Sequence, residues 1–271
     1  MIRLLVGAGL AAAAATYMIA PEKAPDSARR ELCGRSWAHR GLHDISKGIP
    51  ENSMAAFRAA RDNGFGIELD LQLTADGQVV VFHDSNLERM CGVDAELGSM
   101  TYGELLTFRL AGTDERIPLF SDVIAMLGGR VPLLVEIKPS RRRSELCSAA
   151  LALMRTYPGE LCVESFDPFT VAWFRRNAPD IIRGQLAMKS YRNDLQLRGV
   201  SAAISFVLSH GVTNFLSRPH FIAHKLEKKT LALRLAERMG AMRFAWTSRT
   251  PGPEDQNDCV IFEGYLPKPR Y

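Results

Sequence analysis

Three observations predict that this chain folds as a (β/α)8 TIM barrel, an α/β architecture, with a hairpin arm and a small insertion at its active rim. After about thirty N-terminal residues roughly 240 remain, near the usual size of such a barrel, and no fixed-period repeat or low-complexity linker divides them. Nine apolar runs of β character alternate with stretches of helical spacing, the order that builds a parallel sheet through crossover helices. Nine is one more than a barrel needs, and the surplus has a local cause. Only Thr74-Ala75-Asp76-Gly77-Gln78 separates the second and third runs. That is too short for a parallel crossover of about a dozen residues, while Asp-Gly is a hairpin signal. The third run is therefore an antiparallel arm, which leaves eight parallel strands.

In chain order, the strands are expected at 36–41, 65–73, 79–84 (the arm), 132–138, 161–166, 181–187, 221–225, 243–248 and 259–262. Helical spacing falls at 54–63, 119–127, 144–156, 168–177 and 229–239. Ser53 reads as the N-cap of the first of these, and Glu51 as a local support for a site beside it. Residues 87–118 form the insertion over the rim, with Thr101 capping a helix at 102–110. Between Trp246-Thr247 and the last strand, Thr250-Pro251-Gly252-Pro253 breaks any helix. The region 190–218 is long and carries no clear pattern.

Several strand ends carry acidic or histidine residues: Ala38-His39-Arg40-Gly41, Glu68-Leu69-Asp70, Phe82-His83-Asp84 and Glu136-Ile137-Lys138. Parallel strands deliver their C-terminal residues to one rim, so groups distant in sequence can converge there. In a strand Glu68 and Asp70 point to the same face while Leu69 packs on the other. Two carboxylates on an inward face are costly without a cation, and with Glu136 they offer hard oxygen ligands suited to Mg²⁺ or Ca²⁺. His39 and His83 form a proton-transfer pair, because imidazole titrates near neutral pH. Carboxylates and imidazoles together suit cation-assisted splitting of a phosphodiester. A single buried histidine is more often a satisfied core residue, and only the joint occurrence with the carboxylates turns that reading around. His43, His210, His220 and His224 have no carboxylate partner at metal-site spacing and are read as ordinary surface or core histidines.

An ordered set of motifs carries a family resemblance. It comprises His39-Arg40-Gly41, Pro50-Glu51-Asn52-Ser53, Glu68-x-Asp70, Thr74-x-Asp76-Gly77, Val81-Phe82-His83-Asp84, Glu136-Ile137-Lys138, Ser165-Phe166 and Trp246-Thr247. In that order, from about Trp37 to near Phe262, the chain resembles the glycerophosphodiester phosphodiesterases. The resemblance implies that Glu68, Asp70 and Glu136 bind the metal and that His39 and His83 are the catalytic acid/base pair. It also implies that Arg40 and Lys138 hold phosphate oxygens, with Trp246 as a candidate substrate contact. The implied reaction yields glycerol 3-phosphate and an alcohol, with the neighbouring glycerol hydroxyl attacking first to give a cyclic phosphate. An attached hydroxyl is an intramolecular nucleophile of high effective molarity. His39 is taken as base and His83 as acid, although the sequence does not distinguish the two. Ser165-Phe166 and Trp246-Thr247 read equally well as strand-end capping and core packing. Rim loops set specificity, so the alcohol released is not legible.

Residues 1–30 are set apart from the catalytic domain at 31–271. Residues 4–20 are an uncharged run of 17 preceded by Arg3 and followed by Lys23, Arg29, Arg30 and Arg35. The run is expected to be an uncleaved membrane anchor with the catalytic domain on the cytoplasmic side. A cleaved signal, giving a secreted or periplasmic protein, is the alternative, and Pro21 directly after Ala20 argues against cleavage there. Five cysteines without a Cys-x-x-Cys pattern fit a reducing compartment.

A net charge of +4 is an ordinary solvated surface, and no nucleic-acid-binding module is present. Arg141-Arg142-Arg143 is the one basic cluster near the predicted rim, and a solvated loop is its plainer reading. Besides glycerophosphodiester hydrolysis, two other functions are compatible with the chain. One is a membrane-bound lysophospholipase D-type enzyme acting on lysolipids. The other is a non-catalytic phosphodiester-binding barrel, against which stands the presence of all five acid/base and metal candidates. Oligomeric state is not legible.

Overall fold

The computed structural model describes residues 2–191 and 200–271, with residues 2–6 and 8 described by backbone alone. Two helices come first, α1 (Ile2–Ile19) and α2 (Asp26–Leu32), followed by strand β1 (Arg35–Ala38), helix α3 (Met54–Asp62) and the hairpin β2 (Gly66–Leu73) and β3 (Val79–Val81). After two short helices, α4 (Glu88–Cys91) and α5 (Tyr102–Leu105), the chain runs α6 (Phe120–Leu127), β4 (Leu133–Ile137), α7 (Arg143–Met154), β5 (Leu161–Ser165), α8 (Pro168–Asn177) and β6 (Ile182–Ala187). It ends with α9 (Ala202–Ser209), α10 (Asn214–Ser217), β7 (Phe221–Lys225), α11 (Leu231–Arg238), β8 (Met242–Ser248) and β9 (Cys259–Phe262).

The strand order is β1-β9-β8-β7-β6-β5-β4-β2-β3, and β1 also pairs with β2, so eight parallel strands close into a barrel. β3 lies outside the circle, antiparallel to β2 with Leu71 opposite Val81, as the Asp76-Gly77 turn requires. The link from β8 to β9 holds only a short 3-10 turn at Pro253–Gln256.

The barrel strands are buried on both faces, and the alternating direction of their side chains sets up the site. On one face Ile67, Leu69, Leu71, Val135 and Val163 pack with Phe57, Val123 and Cys147 of the surrounding helices. On the other, Trp37, Leu134, Cys162, Phe221, Phe244 and Ile261 form a separate apolar cluster. That second cluster is the barrel's floor, where large rings face glycines. A Cβ at Gly66 would lie 2.6 Å from the Trp37 ring, and one at Gly184 only 1.9 Å from the Phe221 ring. One pleat further along the same strands the inward residues are His39, Glu136, Glu164, Trp246 and Glu263.

The insertion has a small core of its own, with Val80, Phe82, Leu87, Met90, Leu97, Leu105, Leu110 and Ile117. Its expected helix at 102–110 is shorter than the spacing suggests. Thr101 and Glu104 form a reciprocal cap, but the helix ends at Leu105. There Thr107 Oγ1 donates back to the Glu104 carbonyl (2.7 Å) and Phe108 N–H to Leu105 (3.1 Å), a tightening turn that side-chain competition for the backbone produces.

The N-terminal run of residues 4–20 falls largely within α1. Among the described residues no helix is long and apolar enough to cross a membrane, and residues 4–6 and 8 of the expected anchor have side chains outside the described ones. The end of α1 is tied to the region just before β7. Asn214 donates to the Ile19 carbonyl (2.9 Å), and Arg218 donates to those of Tyr17 (3.0 Å) and Ala20 (2.9 Å). Arg183, buried, pairs with Glu22.

Candidate active site

The rim gathers residues from five strand ends. Glu68 and Asp70 come from β2 and Glu136 from β4, with Asp70 opposite Glu136 in the register. One carboxylate oxygen from each of the three lies within 4.8 Å of the others. Lys138 bridges two of them, its Nζ 2.8 Å from Asp70 Oδ1 and 2.9 Å from Glu136 Oε1. Asn52 donates to Asp70 Oδ2 at 2.8 Å, and the Arg40 backbone N–H donates to Glu68 Oε2 at 2.9 Å. Arg40 and Asn52 hold left-handed φ values of 54° and 51°, unusual for residues with a Cβ. Asn52 N–H donates to the Arg40 carbonyl at 2.9 Å, so the two conformations support each other.

The cluster sets three buried carboxyls against the cations Lys138 and Arg40. Burial pushes Glu68 well above the usual carboxylate range, with repulsion from Asp70 and Glu136 added. Burial likewise raises Glu136 to about 7, against the pull of Lys138. Asp70 is held well below its ordinary value because Lys138, His83 and Arg40 outweigh its burial. A further carboxylate, Glu164 of β5, sits opposite Glu136 and is raised by burial and then by Glu68. Buried carboxyl groups that also repel one another are what a divalent cation relieves, so the residue set fits a hard cation. Arg40 Nε, buried and without a hydrogen-bond partner among the described residues, is a donor suited to a phosphate oxygen.

Both histidines are held through Nδ1. His39 Nδ1 lies 2.7 Å from Glu263 Oε2, and His83 Nδ1 lies 2.7 Å from Asp84 Oδ1. Burial, then Arg40, lowers His39, and Glu263 pulls it partly back. Burial and then Lys138 lower His83 to about 4. Glu263, just past β9, is held below its normal range first by the His39 hydrogen bond. Glu51 bridges Arg40 (2.7 Å) and Arg89 of the insertion (2.7 Å) and is lowered to about 2, its burial outweighed by Arg89 and Arg40. Arg89 also donates to Asp84 at 2.6 Å, so the insertion braces the second histidine.

His39, Arg40, Lys225, Trp246 and Thr247 line a cleft of about 480 Å³. Trp246 is fixed by Nε1 donating to the Ala223 carbonyl (2.9 Å) and stands edge-on to Phe166, centroids 5.6 Å apart. Ser165 serves the backbone, donating to the Ile137 carbonyl at 2.6 Å. All eight candidate residues therefore reach one rim. Sequence reasoning passed over Glu263 and Glu164, each the charged residue two positions beyond a buried inward residue, Ile261 and Cys162. His43 was read as an ordinary histidine without a carboxylate partner, yet ligating atoms of His39, His43 and Glu263 lie within 4.8 Å of one another. The loop after β1 folds back there, a proximity that no linear spacing encodes.

The model of the glycerophosphoryl diester phosphodiesterase family matches residues 39–263. A glycerophosphodiester phosphodiesterase of Caldanaerobacter subterraneus subsp. tengcongensis is 38% identical over 109 residues, 37% of this chain and 44% of the relative. A lysophospholipase D of Rattus norvegicus is 38% identical over 123 residues, 41% of this chain and 38% of the relative. The chain thus spans less than half the length of these two relatives. Among solved structures, an Oleispira antarctica phosphodiesterase in complex with the product sn-glycerol-3-phosphate superposes with a TM-score of 0.69 at 21% identity, covering 87% of this chain and 94% of that one, a likeness of fold.

Proposed function

The chain belongs to the glycerophosphoryl diester phosphodiesterase family, and we propose that it hydrolyses glycerophosphodiesters to glycerol 3-phosphate and an alcohol. The catalytic unit is residues 31–271, which contain the matched segment. The observation that carries this reading is the meeting of Glu68, Asp70 and Glu136 within 4.8 Å on the rim that also holds His39 and His83. The three carboxylates are the residues that would hold Mg²⁺ or Ca²⁺, and such a cation supplies stabilisation of the negative charge that builds on phosphoryl oxygens.

The protein's own groups do the rest. Glu263 accepts the Nδ1 proton of His39, which leaves Nε2 as the basic atom that takes a proton from the glycerol hydroxyl beside the phosphate. His83, oriented by Asp84, gives a proton to the departing alcohol oxygen, which leaves a cyclic phosphate. Water then opens the ring, its proton going to His83 and its hydroxyl to phosphorus while His39 returns its proton to the glycerol oxygen. Glycerol 3-phosphate is formed with both histidines restored. His83 is neutral in the substrate-free site, and the negative charge of a bound phosphodiester favours its protonated form. Arg40 and Lys138 bind phosphate oxygens, and Trp246 forms a wall of the substrate cleft. The relatives' names divide between glycerophosphodiester phosphodiesterase and lysophospholipase D, so membership of the family does not decide between those activities.

The test is release of glycerol 3-phosphate from glycerophosphocholine and glycerophosphoethanolamine by the full chain, with EDTA and then with Mg²⁺ or Ca²⁺ restored. Cation-dependent release is expected, reduced by about 10² to 10⁴-fold in His39→Ala. A folded protein that releases nothing under any cation would overturn the proposal.

A further inference from the structure

Beside the carboxylate cluster the rim holds a second set of converging ligand atoms, of a different chemistry. One atom each from His39, His43 and Glu263 lies within 4.8 Å of the other two. The phosphodiesterase reaction uses His39 and Glu263 and leaves His43 without a task. His43 is half-buried, and its ring takes no hydrogen bond among the described residues.

The backbone puts that ring in place. Gly41 turns the chain at φ 80°, where a Cβ would come 2.9 Å from the Ala56 backbone, and Leu42 N–H then donates to the Ala56 carbonyl at 3.0 Å. His43 N–H donates back to the Gly41 carbonyl at 3.0 Å, and beyond it Asp44 and Ile49 exchange hydrogen bonds at 2.8 and 3.1 Å. A loop held on both sides of His43 presents the imidazole in one position, as a ligand must be presented.

The donor set selects the ion. Two imidazoles and one carboxylate suit a borderline metal such as Zn²⁺, whereas Glu68, Asp70 and Glu136 offer only hard oxygens. Glu263 is held below the normal carboxylate range first by the His39 hydrogen bond, and burial lowers both histidines, so all three are in their ligating forms near neutral pH. Glu51 and Asp44 also face His43 with negative charge, against Arg40. Access is separate as well. His43 and Glu263 line a cavity of about 580 Å³ that has only Glu263 in common with the cleft lined by His39 and Trp246.

We propose that His39, His43 and Glu263 form an inhibitory site for Zn²⁺, distinct from the carboxylate site for the activating cation. The inhibition rests on the phosphodiesterase reading above; the binding does not. A neutral imidazole has one lone pair and one N–H. Zn²⁺ on Nδ1 moves the ring proton to Nε2, and Zn²⁺ on Nε2 occupies the base directly. In either case no proton leaves the ring, and His39 has no lone pair left for the proton of the glycerol hydroxyl.

The experiment uses the full chain in saturating Mg²⁺, which keeps the carboxylates filled. Calorimetric titration with Zn²⁺ should show one site, weakened at least about tenfold in His43→Ala, since even the outer partners of a metal ligand are worth about 10- to 100-fold in affinity. In glycerophosphocholine hydrolysis the inhibition constant for Zn²⁺ should rise by the same factor, while kcat/KM without Zn²⁺ stays within about twofold. His43→Gln should repeat both results, and thermal melts show that the variants are folded. Inhibition that more Mg²⁺ relieves and that His43→Ala retains would put Zn²⁺ on the carboxylates and overturn the proposal. A KM raised about tenfold in His43→Ala without Zn²⁺ would make His43 a substrate contact and also overturn it, as would Zn²⁺ held through His43 with turnover unchanged. If the chain cleaves no diester, calorimetry still decides the site. Binding that His43→Ala abolishes supports it, and equal binding in both proteins, or none, sinks it.

Discussion

Replacing Glu263 by Gln should slow the reaction about 10- to 100-fold while leaving substrate binding nearly intact. Glu263 meets His39 at its distal nitrogen, at 2.7 Å, its other oxygen accepting from Arg249 at 3.0 Å, so its contribution to the reaction appears when the imidazole gains a proton and positive charge in the transition state. A charge-assisted hydrogen bond is worth about 1.5–3 kcal/mol, and each 1.36 kcal/mol of barrier is tenfold in rate. Both side chains are partly open to solvent, 16% for His39 and 22% for Glu263, which argues for the lower part of that range. The pH profile supplies the readout that a merely structural role would not move. Glu263 raises His39 against the burial that lowers it, so its removal should carry the imidazole still lower. A base must be unprotonated, and the acidic limb of kcat/KM should therefore shift to lower pH. The assay is initial-rate hydrolysis of glycerophosphocholine from acid to alkaline pH, with a thermal melt to show that the variant is folded. A kcat within twofold of wild type, with an unmoved acidic limb, would refute the reasoning and leave Glu263 a bystander.

Glu136→Gln should raise the Mg²⁺ or Ca²⁺ concentration needed for half-maximal activity by at least about tenfold, because a neutral amide removes one of three converging carboxylates; an unchanged cation requirement would remove Glu136 from the ligand set. Gly184→Ala places a Cβ 1.9 Å from the Phe221 ring in the barrel floor, and denaturant unfolding should show a loss of at least about 1–3 kcal/mol from overpacking. Glu51, lowered to about 2 between Arg89 and Arg40, contributes stability that is full above about pH 4.5 and lost as pH falls toward about pH 2, by up to about 3 kcal/mol. Urea melts of wild type and Glu51→Gln should accordingly converge across that window, and a gap that stayed constant would contradict the assignment.

The fold was legible because its signals are local. The Asp76-Gly77 turn decides that β3 is an arm, and alternation in Gly66–Leu73 decides which face of β2 meets the helices. The helix expected at 102–110 ends early because side-chain competition for the backbone at Thr107 is invisible to periodicity. Site residues were legible where a charge interrupts an apolar strand, as at Glu68, Asp70 and Glu136. Glu164 and Glu263 obey the same rule, two residues beyond Cys162 and Ile261 of the barrel floor, and could have been found by applying it to every strand. His43 could not, since its approach to His39 and Glu263 depends on how the loop after β1 folds back.

An apolar groove between α9 and the loops after β4 and β5 marks a different boundary. Its lining residues come from three separate strand-to-helix connections. Residues 190–218 carry no clear pattern in the sequence, and it is the burial of Ser205 and Ser209 beside the exposed Ile204 that shows how α9 is turned. Catalytic groups are pinned to strand ends, whose two-residue period carries over into sequence. A helix lying over the rim can rotate its apolar face toward the barrel or toward a ligand with the same residues at the same spacing. The candidate site of this barrel is thus written in its strands, while the rotation of a helix over the rim is set by packing and carries no signal of its own in the sequence.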